Sequence, residues 1–145
     1  MTSKEYLSQV HTLNVRITRL IKEKNELHSF DGVAGTDYSK DKVQSSPKGE
    51  ANFVPVVERI VAIEAELDAK IDEYVDLKHR ITAQIQELPN AQHIDLLQKK
   101  YIEGKRLEEI AVEMRYSYQY VRAMHGFALQ EFNKKFPELF EVPTQ

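Results

Sequence analysis

Two heptad stripes, separated by a stretch with no periodicity, constrain this chain more than any other feature of its sequence. Tyr6, Val10, Leu13, Ile17, Leu20 and Leu27 step by 4, 3, 4, 3 and 7, with Lys24 at the one polar position. Thr2 followed three residues later by Glu5 makes a capping box, so the spacing predicts a helix from about 3 to 28. The second stripe, Ile60, Ile63, Leu67, Tyr74, Leu77, Ile81 and Leu88, keeps the same repeat, with Lys70 and Gln84 in the gaps. Ile71 and Ile85 widen it from a seam to a face. Pro55 suits the first turn of this helix and Pro89 ends it. At 1.5 Å per residue such a helix is roughly 50 Å long, too long for a compact globule of 145 residues. Each long helix must cover its apolar face against the other or against a second copy.

Residues 29–52 lack periodicity and hold three of the five glycines together with Ser45-Ser46-Pro47-Lys48-Gly49. The stretch reads as a flexible loop joining two antiparallel helices, in preference to an ordered contact surface. No internal repeat is found.

Composition excludes several classes. Hydrophobic residues are 41% and charged residues 30%, enough to fold and typical of helix-rich chains with wide solvated faces. No apolar run reaches the roughly 18 residues that span a bilayer. Met1 to Val10 lack the apolar core and the cleavage site of a signal peptide. The absence of cysteine removes disulfides, thiolate metal sites and thiol nucleophiles together. A cytoplasmic location without a membrane partner is the simplest expectation. The net charge of −3 argues against indiscriminate coating of nucleic acid. Its distribution is uneven: residues 53–90 hold four Lys/Arg against eight Asp/Glu, whereas residues 91–136 hold eight against six.

After Pro89 the long stripes give way to short helices with tight punctuation. His93 to Glu103 reads as one helix, with Ile94, Leu97, Tyr101 and Ile102 on a face and Gly104 at the left-handed position that follows. Leu107 to Met114 reads as a second, with Ile110, Ala111 and Met114 inward. After Arg115-Tyr116, Ser117 caps a third helix running to about Phe132, whose inward face is Val121, Met124, Ala128 and Phe132. A short helix, a tight turn and a longer helix make a helix-turn-helix, the arrangement whose second member enters the major groove of DNA.

The residues Tyr101-Ile-Glu-Gly-Lys-Arg-Leu-Glu-Glu-Ile-Ala111, and then Met114-Arg-Tyr-Ser-Tyr-Gln-Tyr-Val121, resemble the fourth region of sigma factors. That region typically carries Tyr, Gly, Glu-Ile-Ala, a Leu-Gly turn, and then Ser and Val at these intervals. The resemblance covers roughly residues 94–132. The whole layout, through His125-Gly-Phe-Ala-Leu, is similar to small proteins of phages of Gram-positive bacteria associated with late transcription, the ArpU-like regulators. It implies a phage- or prophage-encoded transcription regulator in a bacterial cytoplasm, with RNA polymerase as a further partner. Two positions depart from the pattern. Arg106 stands where Ser or Thr would cap the Glu-Glu-Ile-Ala helix, and Arg115 stands where the turn usually has Gly. If that residue must be left-handed, arginine costs about 1 kcal/mol or more. Either the turn differs or Arg115 is kept for a phosphate contact.

Helical geometry separates the readers from the packers. At about 100° per residue, with Val121 inward, Gln119, Arg122, Ala123 and Gly126 point outward and Tyr118 lies at the margin. Arginine suits guanine and glutamine suits adenine, while Ala123 and Gly126 let the helix approach closely. Arg115, Lys105 and Arg106 complete the expected DNA-binding set, and Lys99, Lys100, Lys134 and Lys135 are phosphate contacts at most. His125 falls near the buried edge and reads as a satisfied core histidine.

Catalysis leaves no trace. The five histidines form no metal-ligand spacing, no glycine-rich phosphate loop is present, and no nucleophile has a base. The carboxylates of the second helix (Glu64, Glu66, Asp68, Asp72, Glu73, Asp76) are spread as a solvated face. The expectation is therefore an all-α protein, not an enzyme and without cofactor or metal. It comprises a long-helix pair or coiled coil over 1–88, a helix-turn-helix module over 91–136 and a tail over 137–145. A module of about 46 residues has a marginal core of its own and should rest on the long helices. The function expected is sequence-specific binding of double-stranded DNA in transcription control, with the long helices serving self-association or polymerase contact. The alternative is a helical interaction adaptor that never reads bases.

Overall fold

The computed structural model describes residues 1–36 and 47–140, with side chains over 1–29 and 55–140. The protein is all-α, and the described residues contain no strand. Its helices are α1 (Ser3–Thr36), α2 (Pro47–Gln86), α3 (Ala91–Leu97), α4 (Leu107–Met114) and α5 (Tyr118–Lys135). A π-helical turn, Gln98–Ile102, continues α3, and a 3-10 turn, Pro137–Leu139, follows α5.

The capping box at the start of α1 is made in both directions. Thr2 N–H donates to Glu5 Oε2 at 2.9 Å, and Glu5 N–H donates to Thr2 Oγ1 at 3.1 Å. The helix does not stop near residue 28 but runs to Thr36, and α2 begins at Pro47, so much of the expected loop is helical. A nucleated helix gains one hydrogen bond per residue added, so it can outrun the apolar pattern that marked it. Residues 37–46, the remainder of that loop, lie outside the described residues. Pro47 takes the first position, where proline loses nothing, and Pro55 lies inside the helix instead of in its first turn.

The chain forms two compact units. One comprises Asn14–Glu73, the central parts of α1 and α2. Among its described side chains Ile17, Ile60, Ile63 and Leu67 are buried, with Leu20 and Leu27 half-buried. Ile71, expected on the buried face, is 40% exposed: it sits about 40° around the helix from Leu67, and a single partner helix covers only a narrow seam. Ion pairs Arg16–Glu66 (3.4 Å), Lys24–Glu64 (3.0 Å) and Arg59–Glu23 (2.8 Å) tie the two helices in antiparallel register.

The other unit contains Met1–Leu13 and Tyr74 onward. Leu7, Ile81, Ile85, Leu96, Leu97 and Phe132 are fully buried in it. The first turns of α1 meet α5, where Ser3 Oγ donates to the Leu129 carbonyl at 3.1 Å and the Tyr6 ring lies 6.0 Å from Phe132. Tyr6 also donates its hydroxyl to Gln84 Oε1 of α2 at 2.7 Å. Residues expected as a tail take part: Phe140 packs edge-on against Tyr6 at 5.7 Å and lies 6.0 Å from Phe132. The first turns of α1 and the last turns of α2 thus frame the C-terminal helices, burying more apolar surface than a 46-residue module could alone.

Candidate nucleic-acid interface

The expected helix over His93–Glu103 starts earlier and changes character midway. Asn90 caps it, its Oδ1 accepting from the N–H groups of Gln92 (2.9 Å) and His93 (3.3 Å). From Gln98 the ladder widens, so that Glu103 N–H reaches the Gln98 carbonyl at 3.0 Å. Gly104, at φ 75°, then reverses the chain and lets Lys105 N–H bond the Lys99 carbonyl at 3.0 Å.

Helix α4 has the predicted bounds. Arg106 cannot cap it as Ser or Thr would, since a guanidinium has no acceptor. Glu109 supplies the reciprocal half of the box instead, taking the Arg106 N–H at 3.2 Å and its Nε at 3.3 Å. Those bonds, the backbone one foremost, hold the Glu109 carboxyl below its ordinary value. The helix ends at Arg115, whose φ of 62° and ψ of 41° are left-handed. There Arg115 N–H bonds the Val112 carbonyl at 3.2 Å and Tyr116 N–H bonds the Ala111 carbonyl at 3.0 Å. Arg115 therefore adopts the glycine-type conformation, at the cost of about 1 kcal/mol that a side chain carries there. Ser117 caps α5, accepting from Tyr120 N–H at 3.1 Å.

Only three residues, Arg115 to Ser117, separate α4 from α5, and the two pack against α3 through Leu96, Ile110, Ala111, Val121 and Met124. Leu107 and Met114 lie against this cluster. All four expected inward residues of α5, Val121, Met124, Ala128 and Phe132, are buried. With that face fixed, Gln119, Arg122, Ala123 and Gly126 are exposed on the opposite side, and Tyr118 is 40% exposed beside them. A Cβ built on Gly126 meets nothing within 4 Å. Among the described residues nothing requires a glycine there, although glycine in an exposed helix costs about 1 kcal/mol relative to alanine.

The basic residues divide by their partners. Lys105 Nζ lies 2.8 Å from Glu113 Oε2 and 3.0 Å from Glu103 Oε1, and its pKa is raised, first by the Glu113 bond and then by Glu103. Lys99 meets Glu113 at 2.9 Å and is raised for the same reason, while the two ammonium groups hold Glu113 low. Arg106 is engaged with Glu109. Among the described residues no ion pair involves Arg115 or Arg122. His125 is half-buried, and its Nε2 lies 2.7 Å from the Tyr101 hydroxyl.

Other features of this surface leave no mark in the sequence pattern. Phe127 is 62% exposed and Tyr120 50%, with Tyr116 and Tyr120 rings 4.6 Å apart and Tyr116 OH accepting from Gln92 Nε2 at 2.6 Å. Helical geometry puts Tyr120 about 40° and Phe127 about 60° around α5 from Met124, on the flank opposite Tyr118 and Arg122. His93 Nδ1 lies 3.0 Å from Glu131 Oε1 beside Phe127, a pairing across 38 residues that leaves no local signal. Val112 is 78% exposed on α4. Among the described residues no group of three or more His, Asp or Glu side chains is placed to hold a metal, and no helix is long and apolar enough to cross a membrane. Comparison of the chain with protein-family models, with curated proteins and with solved structures finds no match.

Proposed function

We propose that this protein binds double-stranded DNA sequence-specifically and acts in transcription control, a reading supported by the resemblance of residues 94–132 to the fourth region of sigma factors and of the whole layout to the ArpU-like phage regulators. One observation carries the reading. The outward face of α5 presents Gln119 and Arg122 beside Ala123 and a glycine, Gly126, that internal packing does not ask for. A helix stripped of side-chain bulk on one exposed face fits a partner that comes close to its backbone, as the floor of a major groove does. Arg122 and Gln119 are the donors for base edges, with Tyr118 at the rim. Arg115, without an ion pair among the described residues, supplies charge for a phosphate. Lys105 and Arg106 are weaker candidates, because carboxylates already engage them.

Selection of bound sequences from a random duplex pool tests the proposal. A converged site that Arg122→Ala binds more weakly supports it, and binding without sequence preference sinks it. A second reading has its own support. Phe127 and Val112 are large apolar groups in open solvent on the same short-helix module, which favours an interaction adaptor docking on a protein such as RNA polymerase.

A further inference from the structure

Helix α5 has two flanks of different charge. Tyr118, Arg122, His125 and Leu129 lie about 40° to 100° to one side of the buried Val121. Tyr120, Phe127 and Glu131 lie about 80° to 120° to the other side, and Glu131 is the only carboxylate of the helix. Two other elements meet the first flank. Ser3 Oγ donates to the Leu129 carbonyl at 3.1 Å, which sets the first turn of α1, and with it the exposed Lys4, beside α5. The Tyr101 ring stacks on His125 at 5.7 Å, and Lys100 Nζ lies 6.0 Å from the centre of the same tyrosine ring. Lys4 and Lys100 thus flank His125, one turn along α5 from Arg122. Both stand near enough to add, after burial, to the depression of its imidazole.

These cations differ from their neighbours in having no internal partner. Lys99, Lys105 and Arg106 each meet a carboxylate, whereas among the described residues no ion pair involves Lys4, Lys100 or Arg122. The chain gains nothing from the arrangement. Lys4 is the second residue of α1, where the positive end of the helix disfavours a cation. Its convergence with Lys100 on one imidazole adds repulsion between like charges. Residues that break a local rule without an internal gain mark a functional surface.

We propose that Lys4 and Lys100 hold the phosphate backbone of the DNA strand bordering the groove on the Arg122 side of α5. This contact rests on the reading of α5 as the DNA-binding helix, and it extends the interface to the first turn of α1 and the π-helical turn. Phosphates carry no sequence information, so the two lysines fix the placement of the duplex and add salt-dependent affinity, while Gln119 and Arg122 read bases.

Affinity of the intact chain for the selected duplex, followed across a range of salt concentrations, tests the contact. Lys4→Gln with Lys100→Gln should lower the slope of log affinity against log salt by about 2. The thermal melt should not fall, and the preference for the selected over a scrambled duplex should remain. Lys4→Arg with Lys100→Arg should keep the wild-type slope. So should Arg19→Gln with Lys22→Gln, which removes the same charge from the other unit. A glutamine pair that keeps the wild-type slope, or an arginine pair that loses it, overturns the proposal and leaves the DNA reading standing. A slope lowered equally by the Arg19 and Lys22 changes would trace the effect to net charge and overturn it as well. A wild-type chain that binds no duplex overturns both.

Discussion

The Tyr101 hydroxyl and His125 Nε2 share a hydrogen bond of 2.7 Å, with their rings stacked at 5.7 Å, joining the π-helical turn to the middle of α5. Burial sets the protonation of both. It raises the Tyr101 phenol to about 12, and together with nearby Lys100 and Lys4 it lowers the His125 imidazole to about 4. A neutral ring and a protonated phenol can share one proton, so the pair is satisfied without charge.

A pH dependence follows from the depressed histidine. Between about 4 and its ordinary 6.5 the unfolded chain binds a proton at His125 that the folded chain does not. Its stabilising contribution is therefore complete above pH 6.5, is lost as pH falls toward 4, and changes no further below that. Thermal melts from pH 7 to 4 should show a falling Tm, with a shallower slope in His125→Gln, whose amide can still accept from Tyr101. An unchanged slope would assign the acid sensitivity to other groups.

Gly126→Ala should move stability and binding in opposite directions. A Cβ there meets nothing, and alanine favours the helix, so the unfolding free energy should rise by up to about 1 kcal/mol. Affinity for the selected duplex should fall if the helix backbone lies close to the groove floor. Equal affinity would mean that the glycine does not serve a close approach to DNA.

Neighbouring residues on α5 should separate cleanly. Arg122→Ala should weaken specific binding by about 1–3 kcal/mol and leave the melt unchanged. Val121→Ala, truncating a fully buried side chain, should cost about 1–3 kcal/mol of stability and leave affinity per folded molecule unchanged. If Arg122→Ala and Gln119→Ala both bind as tightly as wild type, the docking reading replaces the DNA reading.

Arg115→Gly tests why a side chain is tolerated in a left-handed turn. Relieving φ 62° should stabilise the protein by up to about 1 kcal/mol. If the guanidinium meets a phosphate, the same change should weaken binding across all sequences and reduce the salt dependence. Stabilisation without any loss of binding would leave the arginine with no part in DNA contact.

Phe140→Ala should destabilise by about 1–3 kcal/mol, because the ring packs between Tyr6 and Phe132. Equilibrium unfolding in urea measures it. A loss below about 0.5 kcal/mol would return residue 140 to the status of a tail.

Much of this architecture was legible because it is written in short-range spacing. The all-α class, the bounds of α4, the inward set Val121, Met124, Ala128 and Phe132, and the Ser117 cap all depend on residues within one or two helical turns. The outward set Gln119, Arg122, Ala123 and Gly126 then followed, since one buried face fixes the other. Tertiary structure decided what joins residues far apart. Nothing near Glu113 announces that it holds both Lys99 and Lys105, nor does anything near His93 announce Glu131. The exposure of Ile71, the place of Phe140 and the extension of α1 to Thr36 also lay beyond periodicity. A stripe states which residues prefer burial, but the number and position of the partners that bury them come from the packed chain.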